Sequence, residues 1–165
     1  MSRAFVKELD GIEDALPERP QSPHTNYVTP RGLEQLQERV RELSALRNAL
    51  EGRDDLAGQQ QIQRVERDLH YYTERVARAV VVWPETQPKD KVHFGAAVEV
   101  EDAEGQRLSF LIVGEDEADA ARGRISWVSP LAKALLNAGR GDLVTWRRPA
   151  GDKELEIIAI GKDEP

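Results

Sequence analysis

The side chains in this chain that could do chemistry are mostly carboxylates and guanidinium groups. None of the 165 residues is cysteine. That excludes disulfides, thiolate zinc sites and cysteine nucleophiles, and it fits a reducing cytoplasm. The three histidines, His24, His70 and His93, fall in three different regions. A metal cluster or a catalytic triad is therefore not expected, and residues 95–160 show no nucleophile–base pair. Two groups of acids stand out. Glu51, Asp54 and Asp55 lie in the polar stretch Glu51–Gly58, Asp54 and Asp55 between its two glycines. Asp116, Glu117 and Asp119 follow Gly114. Carboxylates so grouped can complete the shell of a hard cation or meet a basic surface. They are also what an ordinary solvated turn contains.

Nine basic residues lie between positions 30 and 82, all arginine, against nine acids. Arg39, Arg47, Arg53, Arg64 and Arg67 could touch phosphate or an acidic wall. The i,i+4 spacings of Arg64–Asp68 and Glu74–Arg78 fit a salt-bridged helix surface better. Residues 95–165 carry nine basic and fourteen acidic residues, and the whole chain has a net charge of −7. A DNA backbone calls for a clustered basic face, so the acidic half argues for a protein partner instead.

The elements that must hold these groups can be read from periodicity. Leu33, Leu36, Val40 and Leu43 are spaced 3, 4, 3, and the stripe runs on to Leu50. Ile62, Val65, Leu69, Tyr72, Val76 and Ala79 form a second stripe. Glu51–Gly58 between them reads as a stop and turn. Two heptad seams joined by a short connection predict an antiparallel helical hairpin, each helix roughly 30–35 Å long. Tyr72 falls on the seam and Tyr71 off it. Thr29 suits an N-cap and Pro30 the first helical position. Short β-type runs follow at 97–101, 108–113, 125–128, 143–147 and 155–160. One short helix from Ser129-Pro130 to about Ala138 interrupts them. The predicted class is α+β. Residues 1–26, with Pro17, Pro20 and Pro23, read as a flexible extension. Residues 27–82 are the coiled-coil arm, 83–94 a linker, 95–160 the β-rich domain and 161–165 a tail. No apolar run approaches a bilayer span, and the N-terminus turns acidic too early for a signal peptide.

The segment Ile112-Val113-Gly114-Glu115-Asp116-Glu117-Ala118-Asp119, followed by Gly123 through Leu135 with its Ser129-Pro130-Leu131-Ala132, resembles the C-terminal domain of the GreA/GreB transcript-cleavage factors. So do Phe94-Gly95-Ala96 and Gly141-Asp142-Leu143-Val144. Tyr27-Val28-Thr29-Pro30-Arg31-Gly32-Leu33 looks like the opening of that family's first arm helix. The resemblance covers about residues 27–160. It implies an FK506-binding-protein-like antiparallel sheet with one short helix for 95–160. It implies a bacterial transcription elongation regulator, a monomer that docks at the rim of the RNA polymerase secondary channel with its arm inside. The implied docking residues are Asp116, Glu117, Asp119, Ser129, Pro130 and Leu131. Ser129-Pro130 also reads as a plain helix cap and Leu131 as core.

In the family the arm tip carries two acids within Gly-Asp-Leu-x-Glu-Asn-Ala-Glu-Tyr. They complete the shell of a weakly held magnesium in the polymerase's own two-metal site. Here Gly52-Arg53-Asp54-Asp55-Leu56-Ala57-Gly58-Gln59-Gln60 stands instead, with Glu51, Asp54 and Asp55 as the candidate tip acids. The arm is also shorter, by about two turns per helix or roughly 10 Å. The expectation is a channel-binding regulator with weak or absent cleavage stimulation and no catalysis, metal or cofactor of its own, sharing the polymerase magnesium at most. A full cleavage factor is the alternative, and a non-transcriptional coiled-coil module that pairs between chains is another. The related fold also serves prolyl isomerases, whose pockets are lined by aromatics. This domain offers only Phe94, Phe110, Trp127 and Trp146.

Overall fold

The computed structural model describes residues 16–162. The chain folds into a helical hairpin and a curled mixed sheet, an α+β architecture. Strand β1 (Asn26–Val28) leads into helix α1 (Pro30–Leu50). Thr29 caps α1, its Oγ1 accepting from the Gly32 amide, and Pro30 takes the position where a missing N–H costs nothing. Helix α2 (Leu56–Ala77) returns along α1. Leu43, Leu50 and Val65 are buried between the two helices, with Ile62, Leu69 and Tyr72 packed around them. The two seams therefore close on each other within one chain.

The turn is tighter than the two glycines suggest. It spans only Glu51–Asp55, and Gly58 lies buried in the first turn of α2. A Cβ there would stand 2.8 Å from both Arg53 Cβ and Asp55 Oδ1. Gly58 thus permits the turn chain to approach, and Gly52, at φ +85°, supplies the reversal. Helix α2 ends at Ala77, earlier than the valine run suggests. Ala79–Val81 becomes strand β2, paired in parallel with β1. Three consecutive valines favour a strand once the seam is exhausted.

Five strands form the second body: β3 (Ala96–Asp102), β4 (Arg107–Val113), β5 (Arg124–Ser126), β6 (Leu143–Trp146) and β7 (Lys153–Lys162). Their order is β5-β4-β3-β7-β6. The sheet is not wholly antiparallel, because β5 runs parallel to β4. Parallel neighbours cannot be joined by a tight hairpin. Residues 114–123 make the crossover, and this loop carries the acids Glu115–Asp119. Strand β7 extends through Lys162, past the expected end at 160. A register shift between Glu99 and Val100 marks a bulge that curls the sheet. Helix α3 (Pro130–Leu135) is shorter than expected and packs Leu131, Ala132 and Leu135 on Val98, Val100, Ile112, Leu155 and Ile157. Phe94, Phe110, Trp127 and Trp146 pack against this core.

Residues 16–25, read above as part of a flexible extension, hold neither helix nor strand but make side-chain contacts with both bodies. The rest of that expectation, residues 1–15, lies outside the described residues, as do residues 163–165 of the tail. Among the described residues no helix is long and apolar enough to cross a membrane.

Candidate functional site

The two acidic groups lie at opposite ends of the arm. At the tip, Glu51 and Asp54 are exposed and carry no ion pair among the described residues. Asp55 is the N-cap position of α2, yet its carboxylate does not cap. It turns back to Arg53, which donates from Nη2 at 2.7 Å and from Nε at 3.1 Å. That bidentate bond holds the Asp55 carboxyl below the usual carboxylate range. Leu56 beside it is 65 % exposed. The tip thus offers two unengaged carboxylates, one engaged carboxylate and an apolar knob. Among the described residues no group of three or more acids or histidines is placed to hold a metal ion.

At the base of the arm the crossover loop is drawn inward. Arg75 of α2 is 1 % exposed. Its Nε donates to Asp116 Oδ2 at 2.6 Å and its Nη2 to Asn26 Oδ1 at 2.6 Å, and Glu115 lies at 3.7 Å. Asn26 in turn donates from Nδ2 to the Arg75 carbonyl at 2.7 Å. The Tyr71 hydroxyl donates to the other oxygen of Asp116 at 2.7 Å. Burial, then that bond, pushes the Tyr71 hydroxyl up to about 12. Tyr71 is off the seam, as its spacing requires, and faces the loop.

Glu117 is 8 % exposed. It accepts from Thr29 Oγ1 at 2.6 Å, and the same Oγ1 accepts from the Gly32 amide. A carboxylate is thus relayed through one hydroxyl onto the positive end of α1. Gly32 makes this possible, since a Cβ there would stand 2.7 Å from Glu117 Oε2. Gly114 permits the second close approach: a Cβ on it would collide with the carbonyl oxygen of Tyr27. A cleft of about 180 Å³ remains between Gly32, Arg39, Tyr72, Asp116 and Glu117.

The other expected docking residues gather at the sheet edge. Asp119 brackets the start of β5 through paired backbone bonds with Arg124. Its half-exposed side chain lies 3.6 Å from Arg122. Ser129 stands beyond the end of β5, its Oγ accepting from the Ala132 amide as the cap of α3. Pro130 is exposed, whereas Leu131 is buried in the core. Spacing alone did not find Arg75. The available signal was its position four residues after Tyr71, on one helix face. The arm's other arginines are largely spent on neighbouring acids: Arg39 on Glu42, Arg41 on Glu38, Arg47 on Glu66, Arg67 on Asp68 and Arg78 on Glu74. Asp68 takes Arg19 and Arg67 rather than the expected Arg64.

Residues 87–162 match the family model described as transcription elongation factor, GreA/GreB, C-terminal. Transcription elongation factor GreB of Neisseria meningitidis serogroup A is 34 % identical over 151 residues, covering 82 % of this chain and 93 % of that protein. Transcription elongation factor GreA of Thioalkalivibrio sulfidiphilus is 49 % identical over 71 residues, 42 % of this chain and 45 % of that one. The crystal structure of Thermus aquaticus Gfh1 is 31 % identical, covers 82 % of this chain and 99 % of its own, and superposes with a TM-score of 0.41. With that identity sustained along nearly the whole Neisseria protein, this chain belongs to the GreA/GreB family of transcription elongation factors.

Proposed function

We propose that this chain regulates transcription elongation in the bacterial cytoplasm by binding RNA polymerase as a monomer. The sheet domain docks on the rim of the secondary channel and the hairpin points inward. The observation that carries this reading is the clasp at the arm's base. Buried Arg75 ties α2 to the crossover loop through Asp116, and Thr29 ties α1 to it through Glu117. A stiff arm so anchored can be aimed by the domain that docks.

Within that reading the docking residues divide by role. Asp119, Ser129 and Pro130 face the partner from the β5 edge. Asp116 and Glu117 set the loop's shape from behind, and Leu131 anchors α3 beneath it. At the tip, Glu51 and Asp54 are the carboxylates free to approach the polymerase magnesium. Asp55 already has a guanidinium partner, which lowers its value as a metal ligand. The helices of 21 and 22 residues reach about 32 Å at 1.5 Å per residue. A short reach and an engaged Asp55 together favour channel occupancy with weak cleavage stimulation.

Two measurements test this. Purified chain should bind core polymerase and compete with a full-length cleavage factor for it. Stalled, backtracked complexes should show little added transcript cleavage. Robust cleavage that is abolished by Asp54→Ala together with Asp55→Ala would instead establish a full cleavage factor.

A further inference from the structure

Residues 16–25 cross the elbow between the arm and the sheet domain, and they are bonded on both sides of it. On the arm side, the Arg19 guanidinium lies 3.9 Å from the centre of the Tyr71 ring and pairs with Asp68 at 3.2 Å. Gln21 donates from Nε2 to the Tyr71 carbonyl at 3.3 Å. On the domain side, Ser22 Oγ donates to Glu115 Oε1 at 3.0 Å, and the His24 ring meets Trp127 edge-on at 5.9 Å. Tyr27 continues the path against Trp127 and Phe94. Pro17, Pro20 and Pro23 fall at every third position of a segment without ladder hydrogen bonds. Proline has no N–H to leave unpaired and a fixed φ, so ordering such a segment costs less chain entropy.

The Arg75–Asp116 and Thr29–Glu117 ties both meet one crossover loop at the arm's base, so on their own they hold the arm over a short lever only. Asp68 lies seven residues from Arg75, about 10 Å along α2. An attachment there, tied through Ser22 to the loop that holds Arg75, resists rotation about the clasp. Tyr71 links the two, carrying Arg19 on its ring face while its hydroxyl donates to Asp116.

We infer that the segment 16–25 is a brace across the elbow, in which Arg19 and Ser22 are positioning residues that fix the direction of the arm relative to the docking domain. Its consequence for polymerase rests on the reading proposed above, but the brace itself can be tested without polymerase.

The chain has no cysteine, so a spin-label pair can be placed at exposed Ala49→Cys near the tip and exposed Ala103→Cys on the sheet domain of the full chain. Pulsed electron resonance between the labels should give one narrow distance distribution. Arg19→Ala with Ser22→Ala should at least double its width, with the helical circular dichroism unchanged. Arg19→Lys with Ser22→Thr retains the cation and the hydroxyl and should restore most of the narrowness. If the double alanine variant loses its helical signal, Ser22→Ala alone serves, and it should broaden the distribution measurably. An unchanged width in the folded alanine variant overturns the inference. So does a lysine–threonine variant as broad as the alanine one. Neither result bears on whether the chain binds polymerase. If the brace holds, the alanine variant should bind polymerase several-fold more weakly than the parent.

Discussion

Replacing Arg75 with alanine removes the guanidinium and leaves its partners where they were. Asn26 is 3 % exposed and would keep an Oδ1 without a donor. The Asp116 side chain is 16 % exposed and would keep only the Tyr71 hydroxyl. Breaking a buried ion pair from one side costs roughly 3–5 kcal/mol, because the other charge stays behind. The partial exposure of Asp116 pulls the figure down, while the orphaned Asn26 oxygen adds roughly 1–3 kcal/mol. The balance is about 4 kcal/mol. In a chain of this size 1 kcal/mol moves the midpoint by about 2–4 °C, so the expected drop in Tm is roughly 8–16 °C. Thermal unfolding followed by circular dichroism at 222 nm measures it. Arg75→Met keeps the packing of the aliphatic stem but orphans the same groups, so it should recover little. Arg75→Met with Asp116→Leu removes both charges and should recover part of the loss, the Asn26 oxygen and the Tyr71 hydroxyl remaining without their partners. A loss below about 1 kcal/mol for Arg75→Ala is what an exposed pair gives, and it would refute the assignment of Arg75 as the buried link between arm and domain.

Three further outcomes follow from neighbouring groups. Glycine to alanine inside a helix ordinarily gains about 1 kcal/mol, but Gly32→Ala puts a Cβ against Glu117 Oε2 and should cost roughly 1–2 kcal/mol in urea unfolding. Ser129→Ala removes the cap of α3 and should cost about 1 kcal/mol by the same measurement. Tyr71 is raised to about 12 in the fold from an ordinary 10, so the folded state holds this proton more tightly than the unfolded chain. The stability it contributes is therefore complete below pH 10 and is lost as pH rises from 10 through 12. An absorbance titration at 295 nm should show one of the three tyrosines ionising near 12, and Tyr71→Phe should remove that step.

Much of the arm was legible because its order is local. The 3, 4 spacing from Leu33 to Leu50 and the Thr29-Pro30 start place α1 to the residue. The start of α2 was less legible. Gly58 reads as a breaker in isolation, and only the nearness of Arg53 and Asp55 explains why a glycine belongs inside the helix. The valine run after Ala79 carried both helical and strand signals. Its strand state depends on β1, 53 residues earlier in register. The clasp was illegible for the same reason: Arg75 meets Asn26 and Asp116 at sequence separations of 49 and 41. Periodicity reports which face a side chain takes, not which distant acid waits there. The acids at 116 and 117 were expected as docking residues, and their partners in the fold are Arg75, Tyr71 and Thr29 of this same chain.

That outcome has a topological cause. Strand β5 lies parallel to β4, so the chain between them must cross over and cannot turn tightly. The crossover projects past the sheet toward the base of the arm, where an unpaired helix N-terminus and a buried arginine both call for negative charge. Glu117 answers the first through Thr29 and Asp116 the second. An acidic loop in this place would be selected even in a chain that docked on nothing, since a neutral loop would leave Arg75 buried without a counter-charge. Asp116 and Glu117 are therefore accounted for by the fold alone. Asp119, at the far end of the loop, and Pro130 have side chains that the fold leaves open on either side of β5, and the proposed docking is tested there. Asp119→Ala and Pro130→Ala should weaken polymerase binding with Tm unchanged, whereas Asp116→Ala should lower both. Equal loss of Tm in all three would mean that the β5 edge, too, serves only the fold.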